Sequence, residues 1–144
     1  MLIGKELLIL NYLRENARYT ITELARKVDL PRSTVNDRIK KFKSSGIVKK
    51  YCCLLNFNRL GLPIQVKILF KAGANKELLE KELIESKHTN NVIKLGNEFD
   101  FLASFAFKSM NDLHEFVDKL NTKYEPRDHK IFYIAKDLKR EGQF

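Results

Sequence analysis

The segment from Arg32 to Lys43 gathers the side chains best suited to chemistry: Arg32, Ser33, Thr34, Asn36, Asp37, Arg38, Lys40, Lys41 and Lys43. Guanidinium and ammonium groups neutralise phosphates, while hydroxyl and amide groups can hydrogen-bond base edges. Among them stand Val35, Ile39 and Phe42 at i, i+4 and i+7, the spacing of one buried helical stripe. At 3.6 residues per turn, Ser33, Asp37, Lys40 and Ser44 then face away from that stripe. Thr34, Asn36, Lys41 and Lys43 flank them, and Arg32 sits at the helix entrance. Arg32, Ser33, Thr34 and Asn36 are expected to approach bases or nearby phosphates; Arg38, Lys40, Lys41 and Lys43 suit phosphate contact. Asp37 would face the same polyanion, where it could accept from a cytosine amino group or hold Arg38 or Lys41 in place. The alternative for the whole set is a solvated helix face, or a bundle surface that binds protein.

Other chemistries find little support. His88, His114 and His129 are scattered, with no motif linking them. No metal-ligand spacing, G-x-S-x-G elbow or phosphate-cradling glycine loop occurs. No catalytic residue, metal site or cofactor is therefore expected. Cys52 and Cys53 are the only cysteines and are adjacent. Neighbours in a strand point to opposite faces, so they suit an intramolecular bridge poorly. They read as small packing residues, or as a bridge across a dimer axis.

The charge supports a polyanionic partner. The formal net charge is +9 over 144 residues. Residues 1–50 hold 12 Lys/Arg against 5 Asp/Glu, whereas residues 51–144 hold 15 against 13. The excess thus sits in the first third, the footprint expected of a nucleic-acid-binding module. No apolar run approaches membrane-spanning length, and the first residues mix charges in a way that makes a poor signal peptide. The expectation is a cytoplasmic protein without membrane association.

The pattern implies two domains. Residues 3–15 read as a helix with Ile3, Leu7 and Leu10 as its stripe, widened by Leu8 and Leu13. Thr20-Ile21-Thr22-Glu23 is a capping box opening a short helix with Leu24, Ala25 and Val28 inward. Asp29-Leu30-Pro31 breaks it, and a third helix runs from about Pro31 to Ser44, closed by a left-handed turn at Gly46. Ile47–Leu55 reads as a strand and Asn56–Leu62 as a connector. Ile64–Phe70 alternates as a strand, Asn75 can cap a helix to about Ser86, and strands follow at Val92–Leu95 and Phe99–Phe107. Ser109 caps a helix with Leu113, Phe116, Val117 and Leu120 inward, and Ile131–Ala135 is the last strand. The charged tail from Lys136 is expected to be poorly ordered or loosely docked. The fold class is α+β: a (winged) helix-turn-helix domain over 1–50, a linker strand and connector over 51–62, and a βαββαβ ferredoxin-like domain over 63–144.

Several runs carry a family resemblance. They are Glu23-Leu24-Ala25-Arg26-Lys27-Val28, then Ser33 through Phe42, then Ser45-Gly46-Ile47-Val48-Lys49-Lys50-Tyr51, followed by Leu60-Gly61 and by Gly96 and Asp100. Their succession resembles the signature of the Lrp/AsnC, or feast/famine, transcription regulators over nearly the whole chain. Pro31 stands where that family often has a capping serine. The resemblance implies a sequence-specific regulator that binds double-stranded DNA. It further implies a homodimer joined through the sheets of its effector-binding (RAM) domain, with assembly to tetramers or octamers. An amino-acid effector would lie near Leu95–Asp100, its carboxylate on the amides of Gly96 and Asn97 and its ammonium on Asp100. Otherwise Gly96 is a turn glycine needing positive φ, and Asp100 a strand-start cap or subunit salt bridge. The same architecture admits a siroheme decarboxylase-like enzyme, or a sensor or assembly protein that does not bind DNA.

Overall fold

The computed structural model describes residues 4–142, and the chain divides into two compact units. One comprises the chain up to Leu54 together with the segment from Leu138; the other spans Leu55–Asp137.

The first unit is a trihelical bundle of α1 (Lys5–Glu15), α2 (Ile21–Val28) and α3 (Arg32–Ser44). Thr20 and Glu23 form the expected capping box: Thr20 Oγ1 accepts from the Glu23 N–H at 3.2 Å, and Glu23 Oε2 accepts from the Thr20 N–H at 2.7 Å. Asp29 adopts a left-handed conformation, with φ 53°, and ends α2, so the chain turns within three residues before α3 begins. Gly46, with φ 75°, closes α3, and the Val48 N–H donates to the Phe42 carbonyl at 3.0 Å. Ile9, Leu10, Leu24, Ala25, Val28, Val35, Ile39 and Phe42 make one core.

The α1 stripe differs from expectation. Ile9 and Leu10 are the buried pair, Leu7 is only half-buried and Leu8 is exposed. Four apolar residues in a row, Leu7 to Leu10, leave helical periodicity without a preferred phase, so packing decides the face. Ile3 lies outside the described residues.

The second unit runs β1 (Ile64–Lys71), α4 (Lys76–Glu85), β2 (Thr89–Lys94), β3 (Phe101–Phe107), α5 (Met110–Tyr124) and β4 (Asp128–Tyr133). This is the expected β-α-β-β-α-β order. Its antiparallel sheet has the order β2-β3-β1-β4. Val66, Ile68 and Phe70 of β1 and Phe101, Ala103, Phe105 and Phe107 of β3 turn to one face. There they meet Leu79 and Leu83 of α4 and Leu113, Phe116, Val117 and Leu120 of α5. Ser109 Oγ caps α5 by accepting from the Asp112 N–H at 3.2 Å. Asn75 occupies the N-cap of α4, but its side chain makes no cap hydrogen bond. The other sheet face carries Lys67 opposite Phe132, and Leu69 and Ile93 opposite Leu102.

Residues 47–55 form no strand within the chain, contrary to the sequence reading. Strand-like composition declares a preference, but a ladder needs a partner edge, and the described residues of the first unit offer none. Cys52 and Cys53 on this segment are both free and exposed, so within the single chain they are not packing residues. In the C-terminal tail, Glu141 and Gly142 meet Arg14: the guanidinium donates to the Gly142 carbonyl at 2.7 Å and lies 3.5 Å from the Glu141 carboxylate.

Candidate nucleic-acid interface

Burial of Val35, Ile39 and Phe42 fixes the rotation of α3 and hence what it displays. Arg32, Ser33, Asp37, Lys40, Lys41, Lys43 and Ser44 are exposed, while Thr34, Asn36 and Arg38 are half-buried on the flanks. Polar residues from Arg32 to Ser44 thus form one side of a helix whose opposite side is core.

The charged residues there fall into different classes. Arg38 is engaged: its guanidinium lies 2.8 Å from Glu6, bracing α3 against α1. Lys43 holds its ammonium 4.9 Å from the Tyr51 ring. Arg32, Lys40 and Lys41 form no ion pair among the described residues. Asp37 likewise pairs with no cation there, so it does not hold Arg38 or Lys41 in place as one sequence reading allowed. Arg38 has found a carboxylate on another helix, and the exposed Asp37 is left facing solvent.

The α3 entrance adds a further feature. Pro31 stands at the N-cap with φ −57° and offers no side-chain cap. Its carbonyl accepts from the Val35 N–H at 3.1 Å, but the amides of the first turn have no intrahelical acceptor. Unsatisfied amides at the positive end of a helix dipole favour an anion. Nearby, Lys27 lies 4.9 Å from both the Tyr12 and Tyr19 rings, which meet edge-to-face. Sequence reasoning missed Glu6 and Tyr51 as partners; the only trace of Glu6 was an acid in the first turn of a basic unit.

The second candidate site is the loop between β2 and β3. The Leu95 N–H donates to the Asp100 carbonyl at 2.7 Å, and the Asp100 N–H to the Phe70 carbonyl at 2.9 Å. The Asp100 carboxylate accepts from the Ala72 N–H at 2.8 Å and from Lys76 Nζ. The Lys76 hydrogen bond, followed by that of Ala72, holds its carboxyl below the usual aspartate range. Asp100 therefore ties the start of β3 to the β1–α4 connection. Gly96 and Asn97 are exposed. The φ of Gly96 is not in the left-handed region, correcting the turn-glycine reading: a four-residue loop closed by the Leu95–Asp100 bond turns without it. Among the described residues no cluster of His, Cys, Asp and Glu could hold a metal ion. No helix of the described residues is long and apolar enough to cross a membrane.

Comparison with known proteins agrees with this geometry. A family model described as winged helix-turn-helix DNA-binding matches residues 4–49. An HTH-type transcriptional regulator of Pyrococcus furiosus, itself uncharacterized, is 30% identical over 110 residues, 76% of this chain and 74% of the relative. The crystal structure of a transcriptional regulator from Neisseria meningitidis in complex with L-Met has a TM-score of 0.89 at 25% identity, covering 100% of this chain and 96% of the other. LrpC of B. subtilis has a TM-score of 0.88 at 20% identity, with 96% of this chain and 98% of the other covered, a likeness of fold. With the basic α3 face and the βαββαβ unit, these findings show that the chain belongs to the HTH-type transcriptional regulators, is a DNA-binding transcription regulator and has the fold of LrpC.

Proposed function

We propose that α3 is the recognition helix, entering the major groove with its N-terminal half. Arg32, Ser33, Thr34 and Asn36 approach base edges, and Asp37 accepts from a cytosine amino group on its exposed side. Lys40, Lys41 and Lys43 contact phosphates; Arg38 acts mainly through Glu6, holding α3 at its angle to α1. The observation that carries this reading is the cationic α3 surface, on which Arg32, Lys40 and Lys41 have no ion-pair partner among the described residues. The sheet face bearing exposed Ile93 and Phe132 beside half-buried Leu69 and Leu102 supports a homodimer through the second unit, since apolar strand residues left partly in water favour burial. A two-fold axis would set two copies of α3 about one DNA turn apart.

We further propose an amino-acid effector at the Leu95–Asp100 loop, with its carboxylate on the Gly96 and Asn97 amides. The L-Met bound to the Neisseria relative supports the ligand class. An effector ammonium would compete with Lys76 for Asp100, so binding would loosen the β1–α4 connection. Gel-shift titration against genomic fragments, with and without single amino acids, tests both proposals. An amino-acid-dependent change in affinity that Asp100→Ala abolishes is expected; an identical response in that variant contradicts the effector site.

A further inference from the structure

The α4–β2 turn and the first half of α5 line a cavity of about 770 Å³. It lies at the start of β2 and the end of β3, whereas the Leu95–Asp100 loop joins their other ends. Six residues of extended β2 separate the two places by about 20 Å.

Part of the cavity wall is aromatic. The His88 ring stacks on Phe107, centroids 4.7 Å apart, and meets Phe116 at 5.7 Å and a steep angle. Two backbone bonds set His88 there: its carbonyl accepts from the Ala106 N–H at 3.1 Å, and its N–H donates to Ser86 Oγ at 3.3 Å.

Four charged residues, Lys87, Lys108, Asp112 and Glu115, also line the cavity. None of them closes to ion-pair distance with another charge among the described residues. The contrast with their neighbours is direct, because Lys119 and Glu82, which line the same cavity, meet at 2.9 Å. Side chains of opposite sign, with Lys87, Lys108 and Glu115 exposed and Asp112 half-buried, surround one concavity without pairing and leave room for a ligand bearing both charges.

We propose that this cavity is a second small-molecule site, for an α-amino acid with an aromatic side chain. Its ring lies against His88 and Phe116, its carboxylate faces Lys87 and Lys108, and its ammonium faces Asp112 and Glu115. Charge-assisted hydrogen bonds at both ends set orientation, and ring stacking selects the side chain.

The test is calorimetric titration of the full chain with L-phenylalanine, L-alanine and 3-phenylpropionate. Saturable binding of L-phenylalanine is expected, at least ten-fold tighter than either of the others, which lack the ring or the ammonium. Lys108→Glu and Glu115→Lys, both at exposed positions, should each weaken L-phenylalanine at least ten-fold. Should a reversal disturb folding by circular dichroism, Lys108→Gln and Glu115→Gln should weaken binding in the same direction. No saturation at millimolar L-phenylalanine, or wild-type affinity in the folded Lys108 and Glu115 variants, overturns the proposal.

Discussion

The two units treat their charges differently. In the second, four lysines of the helices and strands find acids: Lys76 with Asp100, Lys94 with Glu80 at 2.9 Å, Lys119 with Glu82 at 2.9 Å, and Lys81 with Glu85 at 4.0 Å. On α3, Arg38 alone pairs with an acid among the described residues, while Arg32, Lys40 and Lys41 do not. Exposed ion pairs each contribute little to stability, so the contrast says little about which unit is firmer. It says where a partner is missing. Clustered cations repel one another unless a polyanion neutralises them, and counterions released from DNA then favour binding. The unpaired cations of α3 mark a surface open to a polyanion.

Four experiments sharpen or break that contrast. The largest effect is expected from Phe42→Ala, which empties a fully buried site in the first core. It should cost about 3–5 kcal/mol and abolish DNA binding; thermal unfolding followed by circular dichroism, with a gel shift at each temperature, measures both. Next, Ser33→Ala and Asn36→Ala should reduce discrimination among operator sequences by about 1–3 kcal/mol. Binding to non-specific DNA should change little, and site selection from a randomised pool reads the difference. Third, Thr20→Ala removes half of the capping box that opens α2. A loss of about 1 kcal/mol is expected, seen as a lower urea midpoint.

The smallest effect belongs to the second unit. The bonds from Lys76 and Ala72 hold Asp100 below its ordinary value of 3.8. A carboxyl held low in the folded state contributes stability above its unfolded value, and that contribution is lost as pH falls through the folded value. Wild type should therefore lose this increment below pH 3.8, whereas Asp100→Asn lacks it at every pH. Urea midpoints at neutral and acidic pH should converge between the two proteins as pH falls.

Much of this arrangement was legible in the sequence where the signal is local. The capping box at Thr20, the Val35–Ile39–Phe42 stripe and the alternating aromatics of β3 each depend on residues within a few positions of one another. The features that escaped depend on distant partners. The Arg38–Glu6 ion pair escaped because the two residues lie 32 positions apart. Asp100 is tied to Ala72 and Lys76 across the β1–α4 connection, which spacing does not reveal. Ile47–Leu55 has the composition of a strand, but no pattern within one chain supplies the edge it would need. The phase of α1 was ambiguous because its apolar run is too continuous to choose a face.

The most direct measurement is the salt dependence of DNA affinity for wild type and for the triple variant Arg32→Ala, Lys40→Ala, Lys41→Ala. If these side chains meet phosphates, affinity should fall steeply with salt in the wild type, and the slope of log K against log[salt] should shrink by about 0.9 for each lost phosphate contact. A folded triple variant with the wild-type affinity and the wild-type slope would contradict the assignment of this face to DNA.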